Sequence, residues 1–194
     1  MTDYATADLI KTYLRIGGSG DDALLADLAA RASRIIDDYC GRWFASRSET
    51  RHYDAFGSHI TGKLLLLDAD LLSLTALTNG DGTAISTNDV ILRPINWPPY
   101  FGIALRQGSG LSWAYTTSPE GAISVEGVWG YSTTPPEPVV HAAVRLAGWL
   151  YRQRDTGGPA GVTAQGVGIP EALIPRDVRD LIDPYVRLRM RAAG

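Results

Sequence analysis

The hydrophobic period changes twice along this chain, and that change limits the folds open to it. Leu24, Leu25, Leu28, Ala32, Ile35, Ile36 and Tyr39 recur at steps of three and four, the spacing of one buried helix stripe. From about residue 49 the pattern becomes the alternation and short apolar runs of strands: "ETRHYDAF", "KLLLLDAD", "LLSLTALT", "DVILRP", "FGIALRQ" and "GAISVEGVWGYS". The helical step returns with Val139, Val140, Ala143, Val144, Ala147, Leu150 and Tyr151. Neither helical end alone has the apolar surface for a core. The simplest reading is therefore an α+β fold: a four-helix domain, residues 1–48 and 132–194, interrupted by an antiparallel β-rich insertion, residues 49–131.

Local punctuation fits this division. Thr6 can cap a first helix carrying Leu9, Ile10, Tyr13 and Leu14, and "GGSG" at 17–20 breaks it. Asp21 or Asp22 suits the start of the second helix, and Gly41 its left-handed end, with Trp43 and Phe44 just beyond. "NGDG" at 79–82 is a hairpin signal. Pro138 belongs in the first turn of the third helix. The helix of residues 23–40 and that of 138–153 are expected to pack together. "DTGGPAGVTAQGVGIP" is long enough to be mobile or to order against a partner. Pro175 opens a last helix with Val178, Leu181, Ile182, Tyr185 and Leu188 on one side, and Pro184 should kink or divide it.

Composition bears on what such a chain can do. Eighteen basic and 21 acidic residues leave a net charge of −3, with residues 49–131 at −4, which argues against a nucleic-acid coat or an anionic-membrane binder. Cys40 stands alone, so the expectation is a protein made in a cytoplasm without disulfides. The N-terminus does not read as a signal peptide, and the four leucines 64–67 are too short to cross a bilayer.

"RIIDDYCGRWF" at 34–44 gathers the groups that most suggest chemistry. A nucleophilic cysteine needs a cationic setting or a helix N-terminus, and Cys40 falls at a C-terminus instead. Asp37 and Asp38 point about 100° apart on a helix and form no facing acid pair; they read as solvated or paired with Arg34 or Arg42. His52, His59 and His141 lack ligand spacing, and neither a phosphate loop, a dinucleotide fingerprint nor a nucleophile elbow occurs. The expectation is a non-enzyme with no cofactor or metal. Trp97, Tyr100, Phe101, Trp113 and Tyr115 admit two readings: a stacking platform for sugars or bases, or the core and interface of a small β domain. The shortage of lysine and arginine there disfavours single-stranded nucleic acid.

The order of elements also carries a resemblance. "LIKTYLRI…DDALLADLAARASRIIDDYCGRWF", "VEGVWGYSTTPPEPVVHAAVRLAGWLYRQRDTGG" and "IPRDVRDLIDPYVR" resemble the head–tail connector (adaptor) proteins of tailed bacteriophages and gene transfer agents. The likeness covers both ends well and the middle weakly. It implies a ring, usually of twelve copies, below the portal at the head–tail interface of the particle and assembled in the bacterial cytoplasm. The ring would extend the channel for double-stranded DNA, which passes without sequence-specific binding, and would link the portal protein to a head-completion, stopper or tail protein. By the same analogy Arg187, Arg189, Met190 and Arg191 would form an arm docking on the portal, and the five aromatics would lie at interfaces. The competing class is a carbohydrate-binding β module on a tail or baseplate, using the Trp97 and Trp113 loops.

Overall fold

The computed structural model describes residues 2–153 and 174–187. They divide into two compact units, one built from residues up to Gly41 and from Pro135 to Arg187, the other from Arg42 to Thr134. The first holds four helices: α1 (Ala7–Leu14), α2 (Asp22–Cys40), α3 (Glu137–Gln153) and α4 (Arg176–Ile182). The second holds one six-stranded sheet. The glycine-rich segment 155–170 lies outside the described residues.

Local chemistry marks helix boundaries at Thr6, Gly41 and Pro184. The Thr6 hydroxyl accepts from the Leu9 N–H at the start of α1. Its C-cap is Arg15 in the left-handed region, so α1 stops before the glycines rather than at them. Gly41, with φ 63°, caps α2. α4 ends at Ile182, and Pro184 sits in the 3-10 turn Asp183–Tyr185 that follows. A proline ring cannot continue an α-helix, and here it divides the segment rather than kinking it.

α2 and α3 pack together, with α1 and α4 against α3. The buried side of α2 is Leu25, Leu28, Ala29, Ala32, Ser33, Ile36, Asp37 and Cys40. That stripe is rotated from the expected one: Leu24 and Tyr39 are exposed, while Asp37, expected either in solvent or paired with Arg34 or Arg42, is buried and paired with Arg34. The reason lies near the N-terminus. Tyr4 packs on α2, its N–H donating to Ser33 Oγ at 2.9 Å and its hydroxyl to Asp37. Arg34 lies 3.4 Å from the Asp37 carboxylate and donates to the Thr2 carbonyl. A carboxylate so partnered can be buried, and it turns the helix by one residue. Facing α2, α3 buries Ala142, Ala143 and Ala147, and a Cβ at Gly148 would come within 3.2 Å of the Tyr13 ring.

The sheet contains β1 (Arg47–Tyr53), β2 (Ile60–Thr61), β3 (Leu64–Thr78), β4 (Val90–Arg93), β5 (Tyr100–Leu105) and β6 (Ile123–Trp129). Its order is β1-β6-β3-β5-β4, with β2 paired to β3, and every pairing is antiparallel. "KLLLLDAD" and "LLSLTALT", separate runs in the sequence, form the single strand β3. A straight strand of fifteen residues would span about 48 Å. Both ends of β3 nevertheless meet one short segment: the Lys63 carbonyl accepts from the Trp113 indole, and Asn79 bonds Ser112 and Ala114. The strand is therefore folded about its middle. Its first half pairs with β5, its second with β6, and Leu71 pairs with both Tyr100 and Trp129. Three register irregularities lie between Leu66 and Ala76, and consecutive Asp70 and Leu71 are both buried, as bulges produce. Around this bend lies a core of Tyr53, Leu65, Leu71, Ile103, Ile123, Val125 and Trp129.

The "NGDG" turn is present, with the Asn79 N–H bonded to the Thr83 carbonyl. It returns only as far as the isolated bridge Thr78–Ala84. β4 then pairs with β5 instead, so no extended hairpin follows.

Candidate functional site

Of the arm residues singled out from sequence, Arg187 is described; Arg189, Met190 and Arg191 lie outside the described residues. The segment leading into Arg187 is held at the end of α2. The Tyr39 hydroxyl donates to Asp183 Oδ1 at 2.5 Å, and the Arg187 N–H donates to the Cys40 carbonyl at 2.8 Å. The Cys40 thiol faces the Ile182 carbonyl at 3.8 Å and is buried. Its surroundings are those of a packed small residue rather than of an activated nucleophile.

The five aromatics do not converge on one surface. Tyr100 opens β5 and packs on the core, so Phe101, its neighbour in the strand, faces the opposite side. Trp113 lies beyond the other end of β5, where its indole reaches the Lys63 carbonyl and Leu105 bonds the same residue. A six-residue strand separates the two groups by about 17 Å. Tyr115 bridges Gly80, alongside the Trp113 end. Trp97 is 66% exposed, and Tyr115 and Phe101 are also outside the core. Sequence reasoning passed over Phe56, 73% exposed, and Ile95, 61% exposed. A single apolar residue between turn formers carries no periodic signal that would have marked either.

A third cluster, also missed, covers the outer edge of the core. Arg47, Glu49, Arg51 and Tyr53 alternate along β1 and share the face of Ile123, Val125 and Trp129 in β6. The Arg47 guanidinium lies 3.4 Å from the centre of the Trp43 ring, and Arg51 lies 4.7 Å from that of Trp129. Glu49 pairs with both arginines, and Arg51 and the Tyr53 hydroxyl also meet Asp68. Arginine stems and planes thus seal the end of an apolar layer while their charges stay paired. This arrangement stabilises a fold and offers no reacting group.

It does impose a pH dependence. Burial pushes the Asp68 carboxyl up, but the Tyr53 hydroxyl and Arg51 outweigh it and hold the carboxyl below its ordinary range. Burial, and then the bond to Asp68, raise the Tyr53 phenol above its ordinary value. A depressed carboxylate contributes stability above its unfolded pKa, about 4, and that contribution is lost as pH falls through the folded value. The unit of residues 42–134 is therefore expected to lose stability below about pH 4, and Asp68→Asn should flatten that limb of the curve. Urea midpoints measured between pH 3 and 6 check this; equal acid sensitivity in the variant would contradict it.

Among the described residues no group of three His, Cys, Asp or Glu could hold a metal ion, and no helix is long and apolar enough to cross a membrane. Neither a family model nor a curated protein sequence matches this chain. Solved structures do. A chain from the neck of an empty gene transfer agent (GTA) particle, computed with C6 symmetry, aligns with a TM-score of 0.57 and 19% identity, covering 96% of this chain and 91% of its own. One from the neck of the native particle, computed with C12 symmetry, aligns at 0.59 and 20% identity over 95% and 92%. Another, from the virion of the native particle, reaches 0.61 and 20% identity over 96% and 91%. These likenesses extend across both units and establish a shared fold.

Proposed function

We propose that this chain is a structural component of the neck of a gene transfer agent or phage particle: a head-to-tail adaptor that forms a ring below the portal. The observation that carries this reading is the two-way coverage of nine-tenths or more with chains of gene transfer agent particles, helical unit and sheet together. A β module carried on some other protein would share only the sheet. The site chemistry agrees, since its conspicuous polar groups are paired with one another and serve packing. In this reading the ring extends the DNA channel and joins the portal to a head-completion or tail protein. Its copies meet through heterologous contacts, one face of a subunit on a different face of the next. The arm beginning at Arg187 engages the portal, and the exposed Trp97 and Phe101 serve an interface. A net charge of −3 suits a wall past which DNA must move, because strong phosphate binding would retard it.

The separation of Trp113 and Tyr115 from Tyr100 and Phe101 along β5 disfavours a single sugar platform built from all five aromatics. Electron microscopy of the full chain mixed with its portal protein tests the adaptor reading. A ring of this chain seated on the portal is expected; a chain that stays monomeric in the mixture would sink the proposal.

A further inference from the structure

Tyr39 sits at the end of α2, where it is 36% exposed rather than enclosed in the core. Its hydroxyl instead reaches Asp183, 144 residues further along the chain, at 2.5 Å. Around this bond the segment is held at several points. Ile182 is fully buried, the Val186 N–H donates to the Asp183 carbonyl, and the Arg187 N–H donates to the Cys40 carbonyl. Just past Arg187 the chain carries Arg189 and Arg191 with no acidic residue.

We infer that the Tyr39–Asp183 hydrogen bond is a clasp that fixes where the C-terminal arm leaves the helical unit, which makes Tyr39 a positioning residue for that arm. The inference rests on the portal-docking reading for its purpose, though its geometry stands without it. A hydroxyl donating to a carboxylate is among the stronger neutral-to-charged bonds. The bond to Asp183 raises the Tyr39 phenol above its ordinary value, which keeps it a donor at neutral pH.

Amide hydrogen exchange on the full chain tests the clasp. Tyr39→Phe and Asp183→Ala should each speed exchange at Tyr185, Val186 and Arg187 about three- to tenfold, the worth of one such bond, with α2 and α3 unchanged. The double variant should be no faster than either single one, and Asp183→Asn, which keeps an acceptor, should be slower than Asp183→Ala. Unchanged exchange in both single variants, or additive effects in the double, would overturn the clasp. Portal association then separates the two ideas. Deleting residues 187–194 without weakening association sinks the arm reading and leaves the exchange result to judge the clasp. If that deletion weakens association and Tyr39→Phe does not, the positioning role is overturned.

Discussion

Trp129→Ala should lower the unfolding free energy of the sheet unit by about 3–5 kcal/mol, the range for emptying a large aromatic site in a core. Trp129 is fully buried and closes β6 opposite Leu71, at the bend of β3. Its ring stacks on Tyr53 at 6.4 Å and lies under the Arg51 guanidinium, and its indole N–H donates to the Glu49 carbonyl at 3.0 Å. Alanine would leave a cavity where three strands meet, strip Arg51 of its aromatic partner and leave the Glu49 carbonyl without its donor. Trp129→Phe retains most of the buried ring and should recover more than half of the loss. Urea unfolding followed by circular dichroism measures both. Against a total of roughly 5–15 kcal/mol for a domain, a loss under about 1 kcal/mol would mean that the bend is not organised around this ring.

Asp70→Ala should have an effect of similar size. Asp70 is buried and faces Arg42, whose Nε lies 3.5 Å from the carboxylate and whose side chain is only 13% exposed. Removing one member of a buried pair strands the other charge and typically costs about 3–5 kcal/mol, whereas replacing both by apolar groups is often neutral. Arg42 also stacks on Tyr131, its guanidinium 5.0 Å from the ring centre, so a side chain that preserves that contact is the right control. Asp70→Leu combined with Arg42→Met should be more stable than Asp70→Ala alone. If the double replacement is the less stable, desolvation of Arg42 is not the governing term. The comparison is a thermodynamic cycle on one unit and does not depend on assembly.

Three helix boundaries were legible because each rests on local chemistry: a threonine that can accept from the first turn, a glycine free to take positive φ, a proline without a donor; the stop of α1 at Arg15 was not. The rotation of α2 was not legible. Ser33 and Asp37 look like surface residues until Tyr4 is known to lie against them, and nothing within a helical turn of either announces a partner about thirty residues upstream. β3 failed for a related reason. Asp68 and Asp70 divide its leucines into two runs, which alternation alone reads as separate elements, yet Asp70 is inside because Arg42 meets it there. The aromatic residues were visible one by one, but their separation along β5 depends on register, which periodicity does not carry. The clasp at Tyr39 joins positions 144 apart, and only tertiary structure brings such positions together.

Where the polypeptide enters and leaves the sheet unit, the Tyr131 N–H donates to the Trp43 carbonyl at 2.7 Å, and Ser132 Oγ reaches the Phe44 carbonyl. The two crossings are thus at the spacing of neighbouring strands. A segment with apposed ends adds to its host only the entropy of closing one loop, and that entropy grows slowly with length. In genetic terms, the stretch from Arg42 to Thr134 is a cassette. Reducing it to a short turn should therefore leave α2 and α3 with their own ends.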